Sequence, residues 1–180
     1  MKIVTIGRGM IGGGLAALWR TAGHEVTELG RDGGDASGAD VVLVAVPGDK
    51  ISEALSAVTG LEGKTAIDAT NVLPARHGDF PSYAHEVQSF TRGPVAKSFN
   101  MNFGMMLDKI REQRVRPSNW YVADDDARDV TEQLIRDAGY DPVRVGDLSR
   151  ARDLENAVWL LMGVQPVGRV FYRFAEAGQL

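Results

Sequence analysis

The chain has no cysteine among its 180 residues, which excludes disulfides, thiolate metal sites and cysteine nucleophiles together. Histidine is nearly as scarce. His24, His77 and His85 are scattered and lack carboxylates at ligand spacing, so no metal site is expected. Long apolar runs are missing too: the longest, Val41 to Pro47, falls far short of the roughly 20 residues that cross a bilayer. The N-terminus, Met1-Lys2-Ile3-Val4-Thr5-Ile6, runs straight into a glycine-rich turn without the apolar core and small-residue cleavage site of a signal peptide. A cytoplasmic location with no membrane partner is the expectation. A formal charge of -4 without any concentrated Lys/Arg footprint argues against a nucleic-acid partner.

What is present is a recurrence of short apolar strands and amphipathic helices, the pattern of a parallel sheet with helices on both faces. The length suits one packed domain over residues 1–180, with residues 149–180 as C-terminal helices. Ile3 to Ile6 reads as the first strand. Leu15, Leu18 and Trp19 then recur at helical spacing up to Gly23, and Glu25 to Leu29 forms the second strand. Arg31 to Asp40, glycine-rich and small, reads as a loop. Val41 to Val46 is a continuous apolar strand of the kind buried on both faces. Asp49 can cap a helix in which Ile51, Leu55 and Val58 share a face. Further strands are expected at Thr65–Ala69, Val95–Phe99, Trp120–Ala123 and near Val143–Val145, with helices opening at Ser82 and spanning Ala127–Ala138. Two C-terminal stripes complete the reading: Ala151, Leu154, Val158 and Leu161, then Val167, Val170, Phe171 and Phe174 after Pro166. The fold class is α/β, a doubly wound, Rossmann-type, mostly parallel sheet with C-terminal helices.

Gly7-Arg8-Gly9-Met10-Ile11-Gly12 fits G-x-G-x-x-G, directly after an apolar strand and before an apolar-periodic helix. In that context Gly7 permits the tight turn, Gly9 lets the backbone approach a pyrophosphate, and Gly12 permits close helix-to-strand packing. Backbone N–H groups and the positive dipole end of the helix face the bound phosphates. The second strand ends in Leu29-Gly30-Arg31, where an acidic residue would accept hydrogen bonds from a ribose 2′-OH. Gly30 leaves room for a 2′-phosphate and the Arg31 guanidinium suits its oxygens, so NADP(H) is favoured over NAD(H). Asp32 is the competing carboxylate if the strand boundary shifts by one residue. Arg8 either adds positive charge near the phosphates or is a solvated loop arginine.

The chain resembles the F420-dependent NADP oxidoreductases and related small NADP-binding reductases. The resemblance spans nearly the whole sequence and rests on Gly7–Gly12, Gly30-Arg31, Ala45-Val46-Pro47, Asp68-Ala69-Thr70-Asn71, Lys97-Ser98-Phe99-Asn100 and Asp147-Leu148-Ser149-Arg150-Ala151-Arg152, followed by Leu154-Glu155. It implies that Val46, Pro47, Asn71, Asn100 and Met101 surround a nicotinamide at the C-terminal strand ends. It also implies hydride transfer between NADP(H) and a deazaflavin (F420) or flavin-like ring, a reaction that obliges no side-chain acid, base or nucleophile because the cofactors carry the chemistry. Asn100 suits a carboxamide or ring carbonyl and Lys97 suits negative charge at the strand end, with a structural role the equal alternative for both. The chain departs from the family pattern in its short connection before Val41 and in its ending from Gly163 to Leu180.

Two further readings stay open and a third is disfavoured. A binding module that senses NADP(H) without turnover shares every cofactor residue. A hydroxyacid dehydrogenase of the β-hydroxyacid type requires a large helical second domain with a catalytic lysine, for which the segment after Ser149 leaves little room. Trp159 and the Phe171–Phe174 segment offer a homodimer contact or core packing. The acidic run Asp124-Asp125-Asp126 precedes a helix, where it meets the dipole favourably.

Overall fold

The computed structural model describes residues 1–71, 78–164 and 170–178. Its main sheet has seven strands in the order β2-β1-β4-β6-β7-β8-β9, where β1 is Lys2–Ile6, β2 Glu25–Leu29, β4 Val41–Val44, β6 Thr65–Asp68, β7 Val95–Lys97, β8 Ser118–Ala123 and β9 Asp141–Gly146. A separate two-stranded pair joins β3 (Gly34–Asp35) to β5 (Val58–Thr59). All neighbouring pairs are parallel except β7 with β8. From β1 the chain lays β2 on one side and β4 on the other, so the strand order reverses there. That reversal opens a crevice above the C-terminal ends of β1 and β4, where such sheets take ligands.

Alternation along the central strands builds two cores. Val4, Ile6, Val42 and Val44 face one cluster, into which Ile51 and Leu55 of α2 (Ile51–Ser56), Val87 of α3 (Tyr83–Thr91) and Leu154 and Val158 of α5 (Ala151–Met162) pack. Ile3, Val41 and Leu43 face the other, with Leu15 and Trp19 of α1 (Met10–Thr21) and Leu134 and Ile135 of α4 (Asp125–Asp137). Burying both faces of a parallel sheet is why Val41–Val44 is apolar throughout rather than alternating. The Trp19 indole N–H donates to the Leu134 carbonyl at 2.9 Å, so α1 and α4 are also joined by a polar contact within that layer.

The expected elements are present with several boundary changes. The strand from Val41 ends at Val44, and the one from Val95 ends at Lys97, because Phe99 takes a left-handed backbone (φ 63°) that cannot continue a ladder. Val58 belongs to β5 rather than to the α2 face. α2 has no capping side chain, so the cap expected from Asp49 does not form, whereas Ser82 caps α3 by accepting from the His85 N–H at 3.2 Å. A 3-10 segment over Gly104–Glu112 had no clear sequence signal. Of the acidic run, Asp124 accepts from the Val95 N–H and from Gln88, so it ties α4 to β7 as well as opening the helix.

The largest correction lies at the C-terminus. The second helical stripe does not form over its described part, Val170–Phe174, which carries no helix; Pro166 and Val167 lie outside the described residues. The reason is a vacant sheet edge. Along β8, only Val122 and Ala123 pair with β7, which leaves the N–H groups of Ser118 and Trp120 in need of acceptors. The Tyr172 carbonyl accepts from Ser118 at 2.8 Å and the Tyr172 hydroxyl oxygen accepts from the Trp120 N–H at 3.1 Å. Phe174 N–H in turn donates to the Ser118 hydroxyl at 2.8 Å, and its ring lies 4.9 Å from Trp120.

Candidate functional site

The turn after β1 is shaped by close backbone approach. Gly7 has φ 100° and its N–H donates to the Leu29 carbonyl at 3.0 Å, tying the turn to β2. A Cβ on Gly7 would sit 2.4 Å from the Ala45 carbonyl oxygen, and one on Gly12 only 1.8 Å from that of Gly7. Both positions therefore require glycine. Gly9 is different: a Cβ there meets nothing within 4 Å. Gly9 is also the N-cap residue of α1, no side chain caps that end, and no acidic residue lies in its first turn. The first N–H groups of α1 thus stand beside open space, with the helix dipole behind them.

That space belongs to a cleft of about 780 Å³ over the C-terminal ends of β1, β2 and β4, lined by Ile6, Gly7, Arg8, Gly9, Gly30, Arg31, Asp32, Ala45, Val46, Pro47, Lys50, Glu53 and Ala54. The size suits a cofactor. Arg8 lies against Gly30, whose Cβ position falls 3.0 Å from the guanidinium carbon, so absence of a side chain at residue 30 is what admits the arginine. Arg31 and Asp32 occupy the tip of a turn closed by the Gly33 N–H donating to the Gly30 carbonyl at 3.2 Å. Both are exposed and both line the cleft, so cation and carboxylate remain side by side at the end of β2. On the facing wall, the Lys50 ammonium is 3.1 Å from a Glu53 carboxylate oxygen. The Glu53 hydrogen bond and charge hold Lys50 above lysine's ordinary pKa, with Asp49 adding to the effect and Arg31 opposing it. Lys50, Glu53 and Ala54 carry no site signal in the sequence, because Lys50 and Glu53 occur in a helical pattern that looks like a solvated face.

Of the sequence-derived site, the cleft brings together Gly7, Arg8, Gly9, Gly30, Arg31, Val46 and Pro47. Gly12 acts beneath it through packing. Met10 is 70% exposed, and Ile11 is half-buried against the core below α1. Asn71, Asn100 and Met101 are outside the lining. Asn71 donates to the Asn100 backbone carbonyl at 2.8 Å, and the Asn100 side-chain amide donates to Asn71 at 3.2 Å and to the Leu154 carbonyl at 3.0 Å. Met101 is buried and lines a separate apolar cavity of about 200 Å³ with Trp120 and Tyr172.

Lys97 is completely buried, and its partners are carboxylates of the protein itself, the structural role that the sequence left open. Its ammonium donates to Asp68 at 2.6 Å and to the Thr70 carbonyl at 2.9 Å, and lies 3.2 Å from Glu155. Glu155 also accepts from the Tyr83 N–H at 2.7 Å. One cation thereby fastens β6, β7 and α5, with the start of α3 held through Glu155. Among the described residues no group of three or more His, Asp or Glu side chains could hold a metal. His77 lies outside them, and no described helix is long and apolar enough to cross a membrane.

No protein-family model matches the chain, and no curated protein sequence is a match. Solved structures are similar. A protein from Arthrobacter sp. FB24, provisionally named an F420-dependent NADP-reductase, superposes with TM-score 0.81 at 23% identity, over 97% of this chain and 99% of that one. A hypothetical protein from Sinorhizobium meliloti gives TM-score 0.63, also at 23% identity, over 82% and 85%. The reductive aminase of Aspergillus terreus, solved with NADPH and ethyl levulinate, gives 0.64 at 15% identity; the alignment covers 89% of this chain but only 60% of the aminase. At these identities the likeness concerns architecture, and the architecture is the doubly wound Rossmann-type sheet that the strand alternation implied.

Proposed function

We propose that the chain is an NADP(H)-dependent oxidoreductase that binds the coenzyme in the cleft above β1 and β4. The observation that carries this reading is the uncapped N-terminus of α1 beside Gly9, with open space where a side chain would stand and with Arg8 and Arg31 in the same cleft lining. The N–H groups of the first turn of α1 suit the diphosphate. Gly30 gives space and Arg8 and Arg31 give charge for a 2′-phosphate, while Val46 and Pro47 line the cleft beyond β4. When bound, NADP(H) supplies the hydride-carrying ring, and the protein's part is to orient it and exclude water. The sequence resemblance favours F420 or a flavin-like ring as the hydride partner, and the name of the Arthrobacter protein and the NADPH bound to the Aspergillus aminase fit the same coenzyme.

Titrating NADPH and NADH in parallel tests the coenzyme. Wild type should prefer NADPH, and Arg31→Ala should erase most of that preference, a loss of about 1.5–3 kcal/mol for a charge-assisted contact; unchanged selectivity would remove Arg31 from the account. Mixing the protein with NADPH and F420 or a flavin, while following the nicotinamide absorbance band, tests turnover. Tight binding with no absorbance loss on either acceptor would favour the alternative of an NADP(H) sensor. A second copy of the chain is the proposed partner for the C-terminal segment, where Trp159, Leu160, Met162, Val164 and Phe174 are exposed. Leu160→Glu should then shift the sedimentation coefficient from dimer to monomer.

A further inference from the structure

We propose that Lys50 is a second determinant of coenzyme selectivity, reaching the adenosine 2′-phosphate from the wall of the cleft that faces Arg31. This rests on the coenzyme reading above and adds to it a residue from a different element.

The turn that carries Arg31 is fastened to the element behind Lys50. Gly34 N–H donates to the Ala57 carbonyl at 3.2 Å and Ala36 N–H to that of Thr59 at 2.9 Å, forming the β3–β5 pair. Gly33, at φ 72°, lies so close that a Cβ would fall 1.8 Å from the Ala57 oxygen. Ala57 is the C-cap of α2, and Lys50 its N-cap. The short link from β2 to β4 thus draws the Arg31 turn onto α2, and both Arg31 and Lys50 line one cleft, with Arg31 acting unfavourably on the charge of Lys50. Like charges held near one another without an intervening anion are unfavourable, and a phosphate monoester dianion between them reverses the sign. The diphosphate has its own donors at the start of α1, so the anion that fits this second position is the one on the ribose.

Glu53 is the resting partner of Lys50. Their side chains are 76% and 54% exposed, and a pair so open to water contributes little, so a phosphate can replace the carboxylate at small cost. Asp32 in the same lining offers an acceptor for an unphosphorylated ribose. A cation from the far wall is therefore what tips the site toward the phosphorylated form.

Calorimetric binding of adenosine 2′,5′-bisphosphate and of ADP to the full chain tests the assignment without involving the nicotinamide. Lys50→Met should weaken the bisphosphate roughly tenfold, the scale of one charge-assisted contact, and leave ADP unchanged. Lys50→Arg should retain the preference, and Glu53→Gln should tighten the bisphosphate alone. Equal weakening of both ligands by Lys50→Met, or no change in either, overturns the proposal. If wild type prefers the bisphosphate and Arg31→Ala removes that preference while Lys50→Met does not, the Lys50 assignment fails and the coenzyme reading stands. Failure of wild type to bind either fragment or NADPH overturns both.

Discussion

Lys97→Met should lower the thermal midpoint by roughly 6–20 °C, because deleting one member of a buried ion cluster costs about 3–5 kcal/mol and a chain of this length loses about 2–4 °C per kcal/mol. The side chains of Asp68 and Glu155 with which it pairs are both inaccessible to solvent, so neither can turn to water when the ammonium is gone. Methionine nearly matches the lysine stem in volume, which keeps cavity formation out of the measurement. Adding Asp68→Asn and Glu155→Gln removes the charges left behind, and this triple variant should recover much of the loss. A single variant as stable as wild type in a denaturant titration would show that the cluster contributes nothing. A triple variant no better than Lys97→Met alone would assign the loss to hydrogen bonds and packing instead of charge.

Gly9→Ala and Gly12→Ala should separate coenzyme binding from folding. Both substitutions add a single methyl group to the same turn. At Gly12 that methyl would overlap the Gly7 carbonyl oxygen, 1.8 Å away on the backbone, and neither backbone segment can yield without moving α1 off β1. A stability loss of about 1–3 kcal/mol is expected, together with loss of coenzyme affinity. At Gly9 the methyl touches no protein atom, and φ is -78°, a backbone that alanine adopts freely. Thermal midpoint should therefore stay within about 2 °C of wild type, since a surface change away from such features costs under about 0.5 kcal/mol, while NADPH affinity falls at least tenfold. Undiminished NADPH binding by Gly9→Ala would show that the coenzyme's phosphates do not approach the α1 terminus at that point. The contrast matters because a packing glycine and a ligand-facing glycine look alike in a sequence pattern.

Legibility from sequence followed how local the determining forces were. Val41–Val44 was readable because burial on both faces leaves no polar position, and the turn after Ile6 because Gly7 and Gly12, a few residues apart, each lie too close to a backbone carbonyl for a Cβ. The end of β7 was not, since the left-handed backbone at Phe99 depends on the packing around it and on no local turn residue. Glu155 reads as an ordinary charge on an amphipathic helix, and only the crossing of α5 over the β6 and β7 ends turns it into a buried ligand of Lys97. Lys50 reads as a solvated charge for a related reason: its relation to Arg31 is set by the β3–β5 pair, two residues on each strand, too short to leave a periodic signal. Val170 to Phe174 has helical spacing of apolar residues, yet the unpaired edge of β8 offered its backbone and its aromatic side chains partners that an independent helix would forgo.

That edge also has a bearing on how the molecule is made. The hydroxyl that completes Trp120 belongs to a tyrosine 52 positions later in the chain, so on a translating ribosome β8 stays incomplete until its closing segment has cleared the exit tunnel. During that interval two backbone donors and an indole face are available to any neighbouring nascent polypeptide. Overproduction at low temperature, where elongation slows, should prolong this exposure, and soluble yield should depend on co-expressed holdase chaperones more than the final stability of the protein would suggest.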